Sequence, residues 1–177
     1  TVDELFRIVS LGFRGEALAS IASVSRARIL TRRRGETIGR TIACEGGAVA
    51  AIEPAGLSEG TVVEVRDLFF NVPARLKFMR STQAEANAVV EIVKRIALAH
   101  PEAHFALGGD GVTALDYPAA TGDGALARRV RQVMGADFAA SALWVDAERE
   151  GVSLYGHISP PSFNRANSRL QFLFVNG

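Results

Sequence analysis

The chain has 177 residues, 20 Lys+Arg against 19 Asp+Glu, a formal charge of +1 and 48% hydrophobic residues. This length suits one domain or two small ones, and the composition excludes disordered and collagen-like classes. No run approaches the roughly 18 apolar residues of a membrane span, so no membrane partner is expected. A single cysteine, Cys44, excludes an internal disulfide framework and fits a reducing compartment.

The first half of the chain predicts two helices and then several strands. Residues 3–9 are expected to be helical, and a loop at residues 10–15 leads to a short helix from Glu16 to Ser23. Alternating and β-branched residues predict strands at 26–33, 38–45, 48–53 and 61–65. Pro73 suits the first residue of a helix, because its missing N–H costs nothing there.

The second half begins with the longest predicted helix, from Gln83 to Ala99. Its apolar face is expected at Val89, Val93, Ile96 and Ala97, and Pro101 ends it. The following elements are strands at 103–107 and 112–116, a helix at 125–134, and strands near 142–147, 151–158 and 169–175. Strands mixed with helices, several of them in hairpins, predict an α+β fold rather than a doubly wound parallel sheet.

Residues 118–124 have the composition of a linker, which predicts a boundary between a domain at 1–121 and another at 122–177. The chain begins with Thr1 rather than Met and stops at Gly177 directly after an apolar run. We therefore expect it to be part of a longer protein.

The stretch from Leu11 to Leu18 is the most informative one for chemistry. Gly12 and Gly15 let the backbone approach a ligand closely, and a helix starting near Glu16 directs free N–H groups at the loop. This arrangement suits a phosphate chain, although a simple connection between helices has the same pattern. Arg14 is either a bidentate phosphate ligand or a solvated arginine, and Glu16 is best interpreted as a helix-end carboxylate.

Two other features allow a plain structural interpretation beside the functional one. Thr61 either contacts a ligand or occupies the start of a strand. Six basic residues lie in two groups, which would form a phosphate-tracking patch if they converge and solvated faces if they do not: Arg32, Arg33, Arg34, Arg75, Lys77 and Arg80. The predominance of Arg, 18 against two Lys, is interpreted first as coding bias and second as selection for phosphate contacts.

The remaining candidate residues predict no metal centre and no catalytic nucleophile. His100, His104 and His157 have no metal-ligand spacing with each other or with Cys44. Cys44 is expected to be a small buried residue, and Trp144 is expected in the core.

Longer stretches resemble one known family. Residues 10–21, Ser-Leu-Gly-Phe-Arg-Gly-Glu-Ala-Leu-Ala-Ser-Ile, resemble the signature segment of the MutL family of DNA mismatch repair proteins. Residues 60–78, which begin Gly-Thr-Val-Val-Glu-Val and end Ala-Arg-Leu-Lys-Phe, resemble a second block. Residues 174–177 resemble the start of a third, which is normally followed by arginine. The three occur in order, so the resemblance covers essentially the whole chain.

The resemblance implies a GHKL-type ATPase, of the class that includes gyrase B and histidine kinases. The chain would hold the later part of its α/β sandwich and the start of a ribosomal-protein-S5-like transducer domain. ATP and Mg²⁺ would bind in the intact protein, with the lid backbone around the phosphates and Thr61 near the adenine. The implied cofactor-binding residues are Gly12, Phe13, Arg14, Gly15, Glu16, Ala17, Leu18 and Thr61.

Other family motifs do not occur in these residues. The Glu-x-x-x-Asn motif, with the general base and a Mg²⁺ ligand, and the Asp-x-Gly-x-Gly motif at the adenine would both precede Thr1. The lysine that reaches the γ-phosphate would follow Gly177. Without these groups in-line hydrolysis has no machinery. The 177 residues alone are therefore expected to contain no catalytic residue, to hydrolyse no ATP and to bind neither ATP nor Mg²⁺ tightly.

The leading hypothesis is a mismatch repair protein that acts as an ATP-dependent clamp between mismatch recognition and strand incision. The resemblance implies as partners DNA, a MutS-type recognition protein, a downstream nuclease or helicase, and a second copy in an ATP-dependent homodimer. It implies a bacterial cytoplasmic location, associated with the nucleoid. One alternative is a nucleotide-independent DNA-binding or scaffolding module that uses the basic residues at 32–34 and 75–80. Another GHKL member, such as a topoisomerase subunit, fits the first two blocks less well.

Overall fold

The computed structural model describes residues 15–164 and 170–176. Helices alternate with antiparallel strand pairs, which confirms the predicted α+β class. The chain divides into two compact units, Thr1–Met79 (unit 1) and Arg80–Gly177 (unit 2). The domain boundary expected near residue 121 stays a prediction, and the helix expected at residues 3–9 lies outside the described residues.

Unit 1 contains two short helices and one antiparallel sheet. The helices are α1 (Glu16–Ala22) and α2 (Pro73–Leu76). The strands are β1 (Arg26–Arg32), β2 (Gly39–Glu45), β3 (Ala48–Val49), β4 (Glu53–Ala55) and β5 (Gly60–Arg66). The order is β3-β2-β1-β5, and β4 also pairs with β2. The single strand expected at 48–53 is wrong, because β3 pairs with the end of β2 and β4 with its start.

The pairing register gives the sheet two chemically different faces. Ala27 is opposite Val65 and Thr31 is opposite Thr61, so these residues share one face with the other alternate positions of β1 and β5. The opposite face carries charged side chains: Arg26, Arg28, Glu45, Glu64 and Arg66. On the first face Ala27 is buried, whereas Val63 and Val65 are 56% and 45% exposed. The described residues of unit 1 therefore cover only part of this face.

Unit 2 combines three helices with two hairpins. Its elements are α3 (Thr82–Ala99), β6 (Phe105–Leu107), β7 (Leu115–Tyr117), α4 (Ala125–Met134), α5 (Ala136–Ser141), β8 (Leu143–Arg149) and β9 (Val152–Ile158). The bounds of α4 match the prediction, while α5 was not expected. The strand expected near 169–175 is not formed by the described residues 170–176.

Helix α3 begins at a capped residue and buries a face that shares Ala97 with the expected one. The Ser81 hydroxyl accepts a hydrogen bond from the Ala84 N–H at 3.3 Å, which satisfies one free donor of the first turn. The buried side chains are Ala86, Val90, Ala97 and Leu98. Val89 and Ile96 are 45% and 44% exposed, so their predicted burial is wrong. Small residues on the buried stripe let α3 approach α4 and β6 closely.

A charged residue lies in the core of unit 2. The Arg129 side chain is fully buried on α4, between the rings of Phe105 and Tyr117. Its guanidinium donates hydrogen bonds to four backbone oxygens, those of Pro101, Ala103, Tyr117 and Pro118. Desolvation by burial lowers the pKa of Arg129 from its ordinary value. Arg129 therefore joins α4 to the segments before β6 and after β7.

The hairpin β8–β9 exposes aromatic side chains. Trp144 is 53% exposed, so the expectation that it belongs to the core is wrong. Its ring lies 5.1 Å from the ring of His157 and 6.1 Å from that of Tyr155. A two-stranded hairpin can bury a large ring only if another layer packs on it, and the described residues leave the Trp144 ring about half exposed. None of the described helices is long and apolar enough to cross a membrane.

Candidate functional site

The described part of the predicted phosphate segment begins at Gly15. Gly12, Phe13 and Arg14 lie outside the described residues. Gly15 has φ 65°, a left-handed conformation that favours glycine, and immediately precedes α1. Gly15 has no side chain to cap this end of α1, and Glu16, Ala17 and Leu18 are exposed. Among the described residues, no side chain accepts from the first N–H groups of α1, as an anion site requires.

The other end of α1 is fixed by buried and hydrogen-bonded residues. Ser25, just after the helix, is fully buried, and its hydroxyl donates to the Ile21 oxygen at 2.7 Å. The Ala22 oxygen accepts from the Gly47 N–H at 3.2 Å and from the Cys44 thiol at 3.7 Å. Cys44 was predicted to be buried, and the structure shows it half-buried. Helix α1 thus has an exposed start and an anchored end.

Arg26 connects three elements where β1 begins. Its guanidinium donates to Asp67 at 2.7 Å and to Glu45 at 3.0 Å, and it lies 4.5 Å from the centre of the Phe70 ring. The hydrogen bond to Asp67, followed by that to Glu45, raises the pKa of Arg26 above its ordinary value. Because the site is exposed, these ion pairs contribute geometry more than stability.

Thr61 lies on the less charged face of the sheet. Its hydroxyl forms a 2.8 Å hydrogen bond with the hydroxyl of Thr31, directly across the β1–β5 pair. Cys44, whose thiol contacts the end of α1, pairs with Ala27 on this same face. From Val65 to Thr61 the strand advances by four residues, about 13 Å. One face of the sheet therefore carries Thr61 at one end and the base of α1 at the other.

An open groove of about 460 Å³ lies elsewhere on the sheet. Its charged lining residues are Arg26, Arg28, Glu45, Glu64 and Arg66. Glu64 lies 4.0 Å from Arg28 and 3.8 Å from Arg66, and Glu45 is bound to Arg26. Since carboxylates balance the arginines, we do not assign an anion to this groove.

Comparison with known proteins identifies the family. A family model described as the C-terminal domain of DNA mismatch repair proteins matches residues 130–177. The DNA mismatch repair protein MutL of Chelativorans sp. (strain BNC1) is 51% identical over 175 residues, which are 98% of this chain and 28% of the relative. That of Rhizobium etli (strain CIAT 652) is 54% identical over 170 residues, 96% of this chain and 28% of the relative. This chain belongs to the MutL family of DNA mismatch repair proteins.

Solved MutL structures have the same fold. The Aquifex aeolicus MutL ATPase domain complexed with ADP matches with a TM-score of 0.71 and 32% identity, over 93% of this chain and 62% of that one. The ATPase domain of the Aquifex aeolicus mismatch repair endonuclease MutL matches with a TM-score of 0.60 and 30% identity, over 84% and 57%. The fold is that of the MutL GHKL ATPase domain, and the matched C-terminal domain is the S5-like transducer. The chain spans about 28% of the length of these curated MutL relatives.

The basic residues predicted to bind DNA in this MutL chain do not form one cluster in unit 1. Arg32 ends β1 and is followed by Arg33 and Arg34 in the β1–β2 turn, where Arg34 lies 3.7 Å from Glu59. Arg75 and Lys77 follow the loop after β5, at the opposite end of the sheet. The two ends of β1 are about 20 Å apart. Binding of DNA by either group stays a prediction.

Arg80, the sixth of these residues, begins unit 2 and is already paired. Its side chain donates to Glu85 at 3.1 Å, and its backbone N–H donates to the same carboxylate at 3.0 Å. The side-chain hydrogen bond raises the pKa of Arg80 and lowers that of Glu85. A phosphate would therefore compete with Glu85 for Arg80.

The histidines form no metal centre in the part of the chain that the structure describes. There, no three His, Cys, Asp or Glu residues are grouped so as to hold a metal ion. His100 contacts Glu102 at 3.3 Å, and His104 contacts Asp116 at 2.6 Å. These are pairs of side chains from neighbouring segments of unit 2.

The role of Asn71 was not predicted from the sequence. Its amide donates a hydrogen bond to the Ser23 oxygen at 3.0 Å, 48 residues earlier in the chain. The only sequence signal was the pair Gly46-Gly47, since a Cβ at Gly46 would come within 3.1 Å of the Asn71 nitrogen. That close approach needs a glycine, but the sequence does not say what approaches it.

Proposed function

We propose that the intact protein is an ATP-dependent mismatch repair protein of MutL type. In it, residues 12–18 close over the phosphates of ATP, and Thr61 lies beside the adenine. The observation that carries this proposal is identity of 51% and 54% with MutL proteins over nearly the whole chain. A second support is the 32% identity with a MutL ATPase domain complexed with ADP.

The geometry of unit 1 supports this placement of the nucleotide. Thr61 and the anchored end of α1 share one face of the sheet, about 13 Å apart along β5. The shared face allows the base to lie at Thr61 while the phosphates extend towards the start of α1. Gly15 and the uncapped start of α1 offer backbone donors for those phosphates. Glu16, as an exposed helix-start carboxylate, interacts favourably with the helix dipole and can turn away from them.

The residues of this chain fit the phosphates better than they fit Mg²⁺. Magnesium prefers carboxylate, carbonyl and water oxygens in near-octahedral geometry. Glu16 is the single carboxylate between Gly12 and Leu18, and among the described residues no acidic cluster adjoins α1. We infer that the Mg²⁺ ligands and the general base come from other parts of the intact protein, and that this chain orders the lid.

We further propose that lid closure controls assembly on DNA. Ordering of a loop by a γ-phosphate is a common way of switching a protein between two states. In the intact protein the ordered lid would favour a homodimer on DNA that links a MutS-type recognition protein to a downstream nuclease or helicase. This activity would take place in the bacterial cytoplasm at the nucleoid.

The proposal is tested with the full-length protein that contains this chain. A non-hydrolysable ATP analogue is titrated against wild type, Gly15→Ala and the matched control Gly151→Ala. Both glycines have positive φ, 65° and 77°, and neither has an atom within 4 Å of a new Cβ. An L-residue in that conformation costs about 1–2 kcal/mol, so Gly15→Ala should weaken the analogue about 5- to 30-fold.

Gly151 lies in the β8–β9 turn of unit 2, so its variant should bind the analogue as wild type does. Equal affinity of Gly15→Ala and wild type would contradict the role of the lid. Absence of analogue binding by the full-length wild type would contradict the proposed function as a whole.

A further inference from the structure

Within the described residues, the contacts of α1 lie at the end away from the lid. Residues 16–21 are all exposed, and α1 contains no buried residue. Full burial begins at Ser25, after the helix. A helix that is held at one end keeps its free end in place only if the held end stays fixed. What fixes that end therefore determines how the lid is placed.

Four consecutive backbone oxygens at this base are satisfied by donors from two distant loops. The β2–β3 turn supplies Gly46 and Gly47, whose N–H groups donate to the Ser25 and Ala22 oxygens at 3.1 and 3.2 Å. The loop after β5 supplies the Phe69 N–H, which donates to the Val24 oxygen at 2.6 Å. The same loop supplies the Asn71 amide, which donates to the Ser23 oxygen at 3.0 Å. Carbonyls at a helix end otherwise take water or a local cap.

Of the donors to these four oxygens, two are side chains: the Cys44 thiol, 3.7 Å from the Ala22 oxygen, which also accepts from Gly47, and the Asn71 amide, the one described donor to the Ser23 oxygen. The Asn71 amide nitrogen lies beside Gly46, where a Cβ would come within 3.1 Å. The Asn71 amide therefore has room beside Gly46 because glycine has no side chain. A substitution at Asn71 can remove the contact to Ser23 while the backbone contacts remain.

The loop that presents Asn71 has a conformation that needs support. Asp67 and Phe69 have φ 50° and 66°, which non-glycine residues adopt rarely. Asp67 is held by Arg26 at 2.7 Å, and the Phe70 ring lies beneath the same guanidinium. Two turns, from the Phe70 N–H to the Asp67 oxygen and from the Val72 N–H to the Phe69 oxygen, complete the loop.

We propose that Asn71 is a positioning residue for the nucleotide lid. Its amide fixes Ser23 at the base of α1, so that Gly15 and the free end of α1 meet the phosphates at a set distance from the sheet. This inference rests on the proposed nucleotide-binding function and adds the residue that aligns the lid. Asn71 acts through Ser23 and α1 and does not itself touch the nucleotide.

The test compares Asn71→Asp with the matched control Asn87→Asp in the full-length protein. Asp keeps the shape of Asn71 but has no N–H to donate and places a charge against the Ser23 oxygen. At Asn87 on α3 the side chain accepts a hydrogen bond from Gln83, and aspartate accepts it equally well. Steady-state kinetics with ATP and hydrogen exchange with a non-hydrolysable analogue are measured for wild type and both variants.

For Asn71→Asp we expect the KM for ATP to rise about 3- to 10-fold, the equivalent of one hydrogen bond, with kcat within about twofold. Analogue-dependent protection of residues 16–22 should fall, while exchange in β1 and β2 stays at the wild-type level. Asn87→Asp should match wild type in each measurement. A loss in kcat with unchanged KM would overturn the proposal.

Two further outcomes would also overturn it. Wild-type kinetics and protection in Asn71→Asp would show that the contact with Ser23 does not align the lid. Faster exchange throughout β1 and β2 would show that Asn71 supports the whole sheet instead. Failure of the proposed function is recognised separately, because the wild-type protein would then bind no analogue. Hydrogen exchange at the base of α1 in nucleotide-free Asn71→Asp would still report whether Asn71 holds Ser23.

Discussion

The Arg129 guanidinium donates a 2.9 Å hydrogen bond to the Pro101 oxygen, 28 residues earlier in the chain. Each hydrogen bond that this buried arginine forms with the described residues goes to a backbone oxygen. It therefore joins α4 to the segment after α3 and to the end of β7.

We expect Arg129→Met to lower the free energy of unfolding by about 2–4 kcal/mol, because its hydrogen bonds to four backbone oxygens would be lost. The matched control is Arg131→Met, an exposed position on the same helix, which should change it by less than about 0.5 kcal/mol. Urea unfolding followed by circular dichroism measures both. Equal stability of the two variants would show that Arg129 is dispensable.

Gly39 occupies the tightest glycine position of the sheet. A Cβ there would lie 2.6 Å from the Leu57 side chain and 2.8 Å from the Ala55 oxygen. The side chain can move, but the backbone oxygen belongs to the β2–β4 ladder. Gly39→Ala should therefore cost about 1–3 kcal/mol. Gly56→Ala, with no atom within 4 Å of its Cβ, should cost much less in the same denaturation experiment.

The pair Arg80–Glu85 predicts a dependence of stability on pH. The hydrogen bond from Arg80 holds the pKa of Glu85 below its ordinary value of 4.5. A carboxylate with a lowered folded-state pKa stabilises the fold above its unfolded pKa, and the effect disappears as the pH falls through the folded-state pKa. The stability difference between wild type and Glu85→Gln should thus be present at neutral pH and shrink below about pH 4.5.

Urea midpoints measured between about pH 7 and about pH 3 test this dependence. Glu36→Gln, in the exposed β1–β2 turn, provides the reference for loss of one carboxylate. A difference that stays constant over this range would exclude Glu85 as its source.

We expect the 177-residue chain by itself to hydrolyse no ATP. It contains the lid motif and Thr61, but neither the Glu-x-x-x-Asn motif nor a cluster of acidic residues among its described residues. Phosphate release by the purified chain should equal that of its Gly15→Ala variant. Hydrolysis above that level would mean that residues within this chain activate water.

The affinity for DNA should fall as the salt concentration rises. The slope of the logarithm of the binding constant against the logarithm of the salt concentration is proportional to the number of phosphate contacts. Arg75 and Lys77 lie at one end of the sheet and Arg33 and Arg34 at the other. Replacing either pair by alanine should lower the slope by about two if that pair contacts phosphates. Binding curves over a range of salt concentrations distinguish the two ends, and no change with either pair would contradict the DNA-binding hypothesis for both.

Elements with a strong local pattern were predictable from the sequence. Helix α4 was placed at residues 125–134, and α3 and β5 were placed to within one residue at each end. These segments combine clear periodicity or β-branching with glycine, proline or serine at their ends. The family was also predictable, since residues 10–21 and 60–78 carry long specific blocks.

Contacts over long sequence separations were not predictable. The burial of Arg129 depends on four carbonyls that the folded chain brings together, and an arginine on an amphipathic helix is ordinarily solvated. On α3 the burial of Ala97 was predicted, but Ala86 is buried while Val89 and Ile96 are exposed, because a small side chain lets the helix pack more closely. Asn71 reaches Ser23 only because Asp67 and Phe69 turn the chain in rare conformations.

The incompletely covered face of the sheet in unit 1 has a practical consequence for work with the isolated chain. Val63 and Val65 on this face are about half exposed, and within the described residues β5 is paired on one side only. A β-branched strand with a free edge is a template on which further chains can add. Purified alone, the 177 residues should become turbid as their concentration rises, and this tendency should diminish when the neighbouring parts of the intact protein are present.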